Sequence, residues 1–248
     1  MEGLDKVLVI IPAYNEEDNI ARVVDELERD YPELDYLVVN DGSSDRTAAI
    51  CREKGYHLLD LPVNLGLAGC FQSGMKYAYR RGYACAIQFD GDGQHRPEYI
   101  AGMRDKMAEG YDIVIGSRFI AASRDLSPRM LGSRLISAAI FLTTGTRIAD
   151  PTSGMRMFNR EMIREFALNL NYGPEPDTVS YLIKQGARIT EVPVRIAPRI
   201  SGESYLKPLV AAEYMGRMLL SILLIQNFRK KSWKNSRKRE TASCGREN

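Results

Sequence analysis

Along the first 120 residues, short aliphatic runs alternate with stretches whose apolar positions recur every three or four residues. Val7–Ile11 reads as a strand. Glu16–Asp30 reads as a helix with Ile20, Val23, Val24 and Leu27 on one side. The strand pattern returns at Tyr36–Val39, His57–Leu61, Ala84–Phe89 and Asp112–Ile115. The helical pattern returns at Ser44–Lys54, Gly66–Arg81 and Pro97–Ala108, the first of these opened by Ser44 or Asp45 as a cap. This alternation predicts an α/β fold with a mostly parallel, doubly wound sheet flanked by helices.

Beyond residue 128 the pattern changes. Arg129–Thr144 predicts a helix with an unusually apolar face (Leu131, Leu135, Ile136, Ala139, Ile140, Leu142), preceded by a polar loop at Ser123–Ser127. Ile189–Ile196 predicts a further strand, and Leu209–Phe228 a long amphipathic helix rich in Leu, Ile and Met. The uncharged core of that helix, Met218–Phe228, has eleven residues. Eleven residues give roughly 16 Å of helix against a hydrocarbon core of about 30 Å. The segment therefore reads as an interfacial or partner-bound helix, with packing on the body as the alternative.

Charge sharpens that picture. The chain of 248 residues carries a net +2, but Arg229–Glu240 holds seven cations and one acid. Setting that +6 against the total leaves residues 1–228 at −4. A nucleic-acid-binding body is not indicated. The expected organisation is a catalytic domain over 1–205, an apolar membrane- or partner-associating helix over 206–228, and a basic tail over 229–248. Cys51, Cys70, Cys85 and Cys244 lack any C-x-x-C spacing, and His57 and His95 are too few to complete a zinc site with them. The N-terminal residues run into the first strand without the pattern of a signal peptide, so the body is expected at the cytoplasmic face of the membrane.

The chemistry clusters where strands should end. After Ala84–Phe89 come Asp90, Gly91, Asp92, Gly93 and Gln94: two carboxylates and an amide oxygen, a hard oxygen set of the kind Mg²⁺ or Mn²⁺ prefers. At the carboxyl end of a strand in an open α/β sheet, such a set lies where ligands bind. Pro12-Ala13-Tyr14-Asn15-Glu16 follows the first strand, with Tyr14 able to stack on a base. Asn40-Asp41-Gly42 follows the second, with Asp41 suited to a ribose hydroxyl or base N–H. Neither G-x-G-x-x-G nor a P-loop is present, so phosphates would be handled through the diacid and its metal.

Three of these motifs in this order resemble the inverting glycosyltransferases of family 2, which have the GT-A fold: Ile-Pro-Ala-Tyr-Asn-Glu-Glu (11–17), Val-Asn-Asp-Gly-Ser-Ser-Asp (39–45) and Phe-Asp-Gly-Asp-Gly-Gln-His (89–95). Asn64 and Gly66, in Asn-Leu-Gly-Leu-Ala-Gly, are similar to the family's glycine-rich stretch near the nucleotide. A narrower likeness, carried by Ile115–Phe119, Asp150–Arg156 and Glu191–Val194, is to the polyprenyl-phosphate branch that includes the dolichyl-phosphate mannose synthases. That likeness implies that Arg118, Arg129 and Ser133 hold the acceptor's phosphate and that Arg199, in Arg-Ile-Ser-Gly-Glu-Ser, closes over the donor. Many relatives have lysine after that serine, where this chain has Tyr205. Tyr172–Asp177 is similar to a bacterial cell-envelope subgroup that often works with a small multispanning membrane partner.

The implied reaction is displacement at the anomeric carbon of a nucleotide sugar, a UDP-sugar by the cell-envelope likeness, with inversion. Asp90, Asp92 and Gln94 would hold the metal, Asp92 directly and Asp90 directly or through ribose or water. Pro12, Tyr14, Glu16 and Asp41 would line the nucleotide. An anionic phosphate acceptor needs positioning more than a general base, and Glu175 and Asp177 are the candidates if a base is required. His95 is expected to cap or bond the helix after the diacid, and His57 to be structural. The alternatives are a family 2 enzyme extending a glycan on a sugar hydroxyl and a non-catalytic membrane adaptor that keeps the fold.

Overall fold

The computed structural model describes residues 6–120, 128–170, 172–196 and 208–228; the side chains of 128, 129, 208–211 and 227 are not described. The loop Ser123–Ser127, the segment carrying Arg199 and the basic tail therefore lie outside the described residues, as does the side chain of Arg129.

Seven strands form one sheet: β1 (Val7–Ala13), β2 (Asp35–Asn40), β3 (Leu58–Asp60), β4 (Cys85–Gln88), β5 (Ile113–Ser117), β6 (Arg156–Asn159) and β7 (Ile189–Pro193). Their spatial order is β3-β2-β1-β4-β6-β5-β7. Every pairing is parallel except those of β6, which runs antiparallel between β4 and β5. The helices are α1 (Ile20–Asp30), α2 (Thr47–Lys54), α3 (Gly66–Arg81), α4 (Tyr99–Ala108), α5 (Pro128–Thr144), α6 (Arg160–Leu168), α7 (Pro176–Lys184) and α8 (Pro208–Leu223).

The period of two in the strands sorts their side chains between two cores. In β1, Val7, Val9 and Ile11 face the side covered by α1, α2 and α4, with Ile20, Leu27, Cys51 and Met103. Leu8 and Ile10 face the other side, where Phe71 of α3, Phe158 of β6 and Phe166 of α6 meet. Those three rings lie 5.1–5.4 Å apart between centroids, tilted or edge to face, the arrangement the aromatic quadrupole favours.

Several expectations are corrected. The first helix begins at Ile20, after a turn at 17–19, with the Glu16 carbonyl accepting the Ile20 N–H. The second begins at Thr47, and its first amide is taken by the Asp45 carboxylate rather than by Ser44, whose own N–H donates to Asn15. β6, α6 and α7 were not read from the sequence. The hydrophobic pattern hides β6 because it is four residues long, starts with an arginine and passes straight into a helix. Asn159 ends the strand and caps α6, its side chain accepting the Met162 N–H.

The long C-terminal helix ends at Leu223, followed by a 3-10 turn at Ile225–Phe228. α8 packs on α5 and α7 and buries Met218 and Ile222, while Leu220, Leu223, Leu224 and Phe228 stay exposed. α5 has the same division, with Ile136 and Ile140 inside and Leu131, Leu135 and Leu142 outside. Among the described residues, no helix is long and apolar enough to cross a membrane.

The aromatic cluster gives a first prediction. Phe71→Ala empties a fully buried site and should lower unfolding free energy by about 3–5 kcal/mol, read as a lower urea midpoint at unchanged slope.

Candidate active site

The sheet order reverses its direction of growth between β1 and β4, and the crevice at the carboxyl ends of those two strands is the switch point where open α/β sheets bind ligands. Four of the motifs read from the sequence meet there. Gly91 packs so tightly on the end of β1 that an added Cβ would lie 3.0 Å from the Pro12 carbonyl oxygen and 3.8 Å from Glu16 Cγ. No residue with a side chain brings Asp90 and Asp92 this close to β1 undisturbed. Arg22 of α1 donates to the Asp92 carbonyl at 3.2 Å, and the Gln94 N–H donates to Asp92 Oδ1 at 3.0 Å.

On the β2 side, buried Asp41 accepts the Leu65 N–H at 2.7 Å and so ties the end of β2 to the glycine-rich stretch. Asn64 in turn accepts the Gly66 N–H at 3.0 Å. Asn15 bridges the two loops, its N–H donating to Ser43 Oγ and its side-chain oxygen accepting from Ser44. Asp45 takes N–H groups from Glu17 and Thr47. Burial works to raise the pKa of Asp45, but these bonds and the Thr47 hydroxyl outweigh it and hold the carboxyl below its ordinary value. Glu16 donates its N–H to Thr47 Oγ1, and its carboxylate accepts from Asn19. Tyr14 is 41% exposed, and Val63, Leu65 and Leu67 of the stretch tied to Asp41 are exposed as well.

His95 corrects an expectation. It does not cap the following helix but turns back on the diacid: Nδ1 accepts the Asp90 N–H at 2.9 Å, and Nε2 lies 3.3 Å from Asp90 Oδ2. An accepting Nδ1 assigns the proton to Nε2, which then faces the carboxylate. Phe89 packs edge-on against the ring. The exposed ring of His57 lies edge-on to Tyr36, 5.4 Å between centroids.

The second half of the site lies across β6. Arg118, just past β5, donates from Nε and Nη2 to the two oxygens of Asp150 at 2.6 and 2.7 Å, and Asp150 also accepts the Arg118 N–H. Nη2 reaches Thr152 Oγ1 as well, and that hydroxyl bonds Ser133 Oγ of α5. Asp150 is wholly buried, whereas a quarter of the Arg118 side chain is exposed. The backbone of Arg129 lies one turn before Ser133 on α5. Glu191 of β7 accepts the N–H groups of both Ala149 and Asp150. The same turn touches the first half: a Cβ on Gly154 would lie 3.1 Å from Asp90 Oδ2.

Thus the structure gathers Pro12, Glu16, Asp41, Asn64, Gly66, Asp90, Asp92 and Gln94 at one set of strand ends, and Arg118 with Ser133 beside them. Reading the sequence missed Asp150, Thr152 and Glu191 as the groups that orient Arg118. Their partners are up to 42 positions away, so only the fold reveals them. Of the two base candidates, Glu175 accepts the Tyr214 hydroxyl, and Asp177 is bonded by Ser221 and the Thr178 N–H.

Among the described residues, no group of three or more His, Cys, Asp or Glu side chains is placed to enclose a metal. The oxygen set at 90–94 fits a hard cation held by one or two carboxylates and completed by substrate phosphates.

The description "Glycosyl transferase family 2" matches residues 8–166, and the chain belongs to that family. It is 30% identical over 212 residues to the polyprenol monophosphomannose synthase of Mycolicibacterium smegmatis, covering 80% of each chain. It is also 30% identical to the undecaprenyl-phosphate mannosyltransferase of Micrococcus luteus, covering 80% of this chain and 86% of that one. The fold is GT-A: it matches glucosyl-3-phosphoglycerate synthase of Mycobacterium tuberculosis, solved with Mn²⁺ and UDP, at a TM-score of 0.67 and 21% identity over 90% of this chain and 80% of that one. The protein is a glycosyltransferase.

The Arg118 brace is testable. Asp150→Ala removes the buried carboxylate that accepts three bonds from Arg118 and should cost about 1–3 kcal/mol in urea unfolding.

Proposed function

We propose that this chain transfers a sugar from a nucleotide sugar, a UDP-sugar in the first instance, to a polyprenyl phosphate with inversion at the anomeric carbon. The observation that carries this reading is the pairing of two unlike polar centres on one turn. Asp90, two residues before Asp92, lies against Gly154 at one end of 149–154, and an arginine is braced by buried Asp150 at the other. The named relatives that act on polyprenol or undecaprenyl phosphate support it.

In this reading Asp41 and Tyr14 meet the nucleoside, and Pro12, Asn64 and Gly66 shape its walls. Asp90, Asp92 and Gln94 would hold Mg²⁺ or Mn²⁺, which when bound stabilises charge on the departing diphosphate. Arg118 presents its guanidinium to the incoming phosphate, fixed by Asp150, and Ser133 with Arg129 extends that pocket. A planar, permanently charged fork suits phosphate oxygens. The phosphate attacks as an anion, so the chain must orient it and exclude water rather than remove a proton. The engagement of Glu175 and Asp177 with α8 supports a site without a carboxylate base. Arg199 would close over the donor.

The outer faces of α5 and α8 would lie in the cytoplasmic leaflet's interface, with the 229–248 tail drawn to anionic lipid. A bilayer is favoured over a protein groove because the exposed leucines lead straight into seven cations. Apolar burial together with a polybasic segment is the two-part signal that holds a peripheral protein on a membrane.

Purified full-length protein is incubated with undecaprenyl phosphate, Mn²⁺ or Mg²⁺, and radiolabelled UDP- or GDP-sugars. Label should pass to the lipid phase with at least one donor, and Arg118→Ala and Asp92→Asn should each reduce the rate by tenfold or more. Label appearing only on a sugar-hydroxyl acceptor, or no transfer from any donor, would overturn the proposal. Removing residues 229–248 should separately weaken sedimentation with vesicles containing phosphatidylglycerol; unchanged sedimentation would sink the tail's role. Recovery of binding only with an integral membrane protein present would assign the face to that partner instead.

A further inference from the structure

Arg156 opens β6 directly opposite Gln88, two residues before Asp90. It is 3% exposed, yet its Nε has no hydrogen-bond partner and its Nη2 donates to the Pro151 carbonyl at 2.7 Å. Burial pushes its pKa down from an arginine's ordinary value, and the nearby charge of Glu175 is the chief influence opposing that shift. A buried guanidinium this sparsely bonded is a poor way to stabilise a strand, because its desolvation is only partly offset. Phe158, two residues along on the same face, shows what packing alone would place there.

The Pro151 carbonyl is the feature an apolar residue could not hold. Pro151 lies within the turn whose Asp150 fixes Arg118, whose Thr152 meets Ser133 and whose Gly154 backs Asp90.

We infer that Arg156 is a positioning residue: through the Pro151 carbonyl it holds the turn 149–154, which braces Arg118 and backs Asp90. The catalytic consequence rests on the transfer reaction proposed above, whereas the mechanical link does not.

The test uses the full chain and Arg156→Met, which removes the donor to Pro151 and keeps an unbranched side chain. Hydrogen exchange should be at least tenfold faster at the amides of Ala149, Asp150 and Ser153 and unchanged in β1 and α1. kcat/KM for undecaprenyl phosphate should fall about tenfold, with affinity for the metal–nucleotide complex changed less than twofold. Arg156→Lys, which keeps the charge, should retain more of both properties than Arg156→Met. Unchanged exchange in the turn, or equal acceleration in β1 and α1, would overturn the linkage as absent or merely structural. If the wild-type chain transfers no sugar to the lipid, the transfer reading fails, while the exchange data still decide the link.

Discussion

The antiparallel pairing of β6 between β4 and β5 is the constraint on which the site depends. In a wholly parallel sheet, every strand begins at the end remote from the ligand crevice. Reversing one strand puts its amino end beside the carboxyl ends of its neighbours, so the turn feeding β6 arrives among the strand-end loops. Gln88 therefore faces Arg156, and Asp90 lies against Gly154. Without that reversal, Asp150 would have no route to Arg118, and the two polar centres would have no common support.

This geometry also explains which parts of the site were legible in the sequence. The three parallel strand ends carry carboxylates set among glycines and asparagines after aliphatic runs, so pattern and position coincide at Asp41, Asp90 and Asp92. The resemblance to family 2 added Arg118 and Ser133, and the fold places them near one another through Thr152. The bracing roles were not legible. Asp150 stands in a segment that carries the narrower family likeness, but its part there comes from a guanidinium 32 residues earlier. Glu191, in another such segment, binds two amides of the turn. β6 escaped for a related reason: its first residue is polar because it serves the turn, and that breaks the apolar signal by which strands are read.

The same logic separates the two faces of α8. Composition gave an apolar helix without saying which side would be covered. In the fold, the covered side is only partly apolar: Met218 and Ile222 fill the core, while Tyr214 and Ser221 donate to the carboxylates of Glu175 and Asp177, and Gln226 in the turn that follows donates to the Asp177 carbonyl. Apolar contacts alone are tolerant of rotation about the helix axis, since leucines occur around much of α8. Directional bonds to fixed carboxylates are not, because turning the helix would strand those groups in a buried setting.

The seating of α8 meets the border of the site at Glu175: its loop rests on α3 beside the glycine-rich stretch, and its carboxylate takes the α8 hydroxyl. Brought together, Arg118 and the strand-end carboxylates would neutralise one another. Here Asp150 takes up the charge of Arg118 at one end of residues 149–154, and Asp90, engaged by His95, lies against Gly154 at the other. A small shift of that turn would therefore reach both centres together.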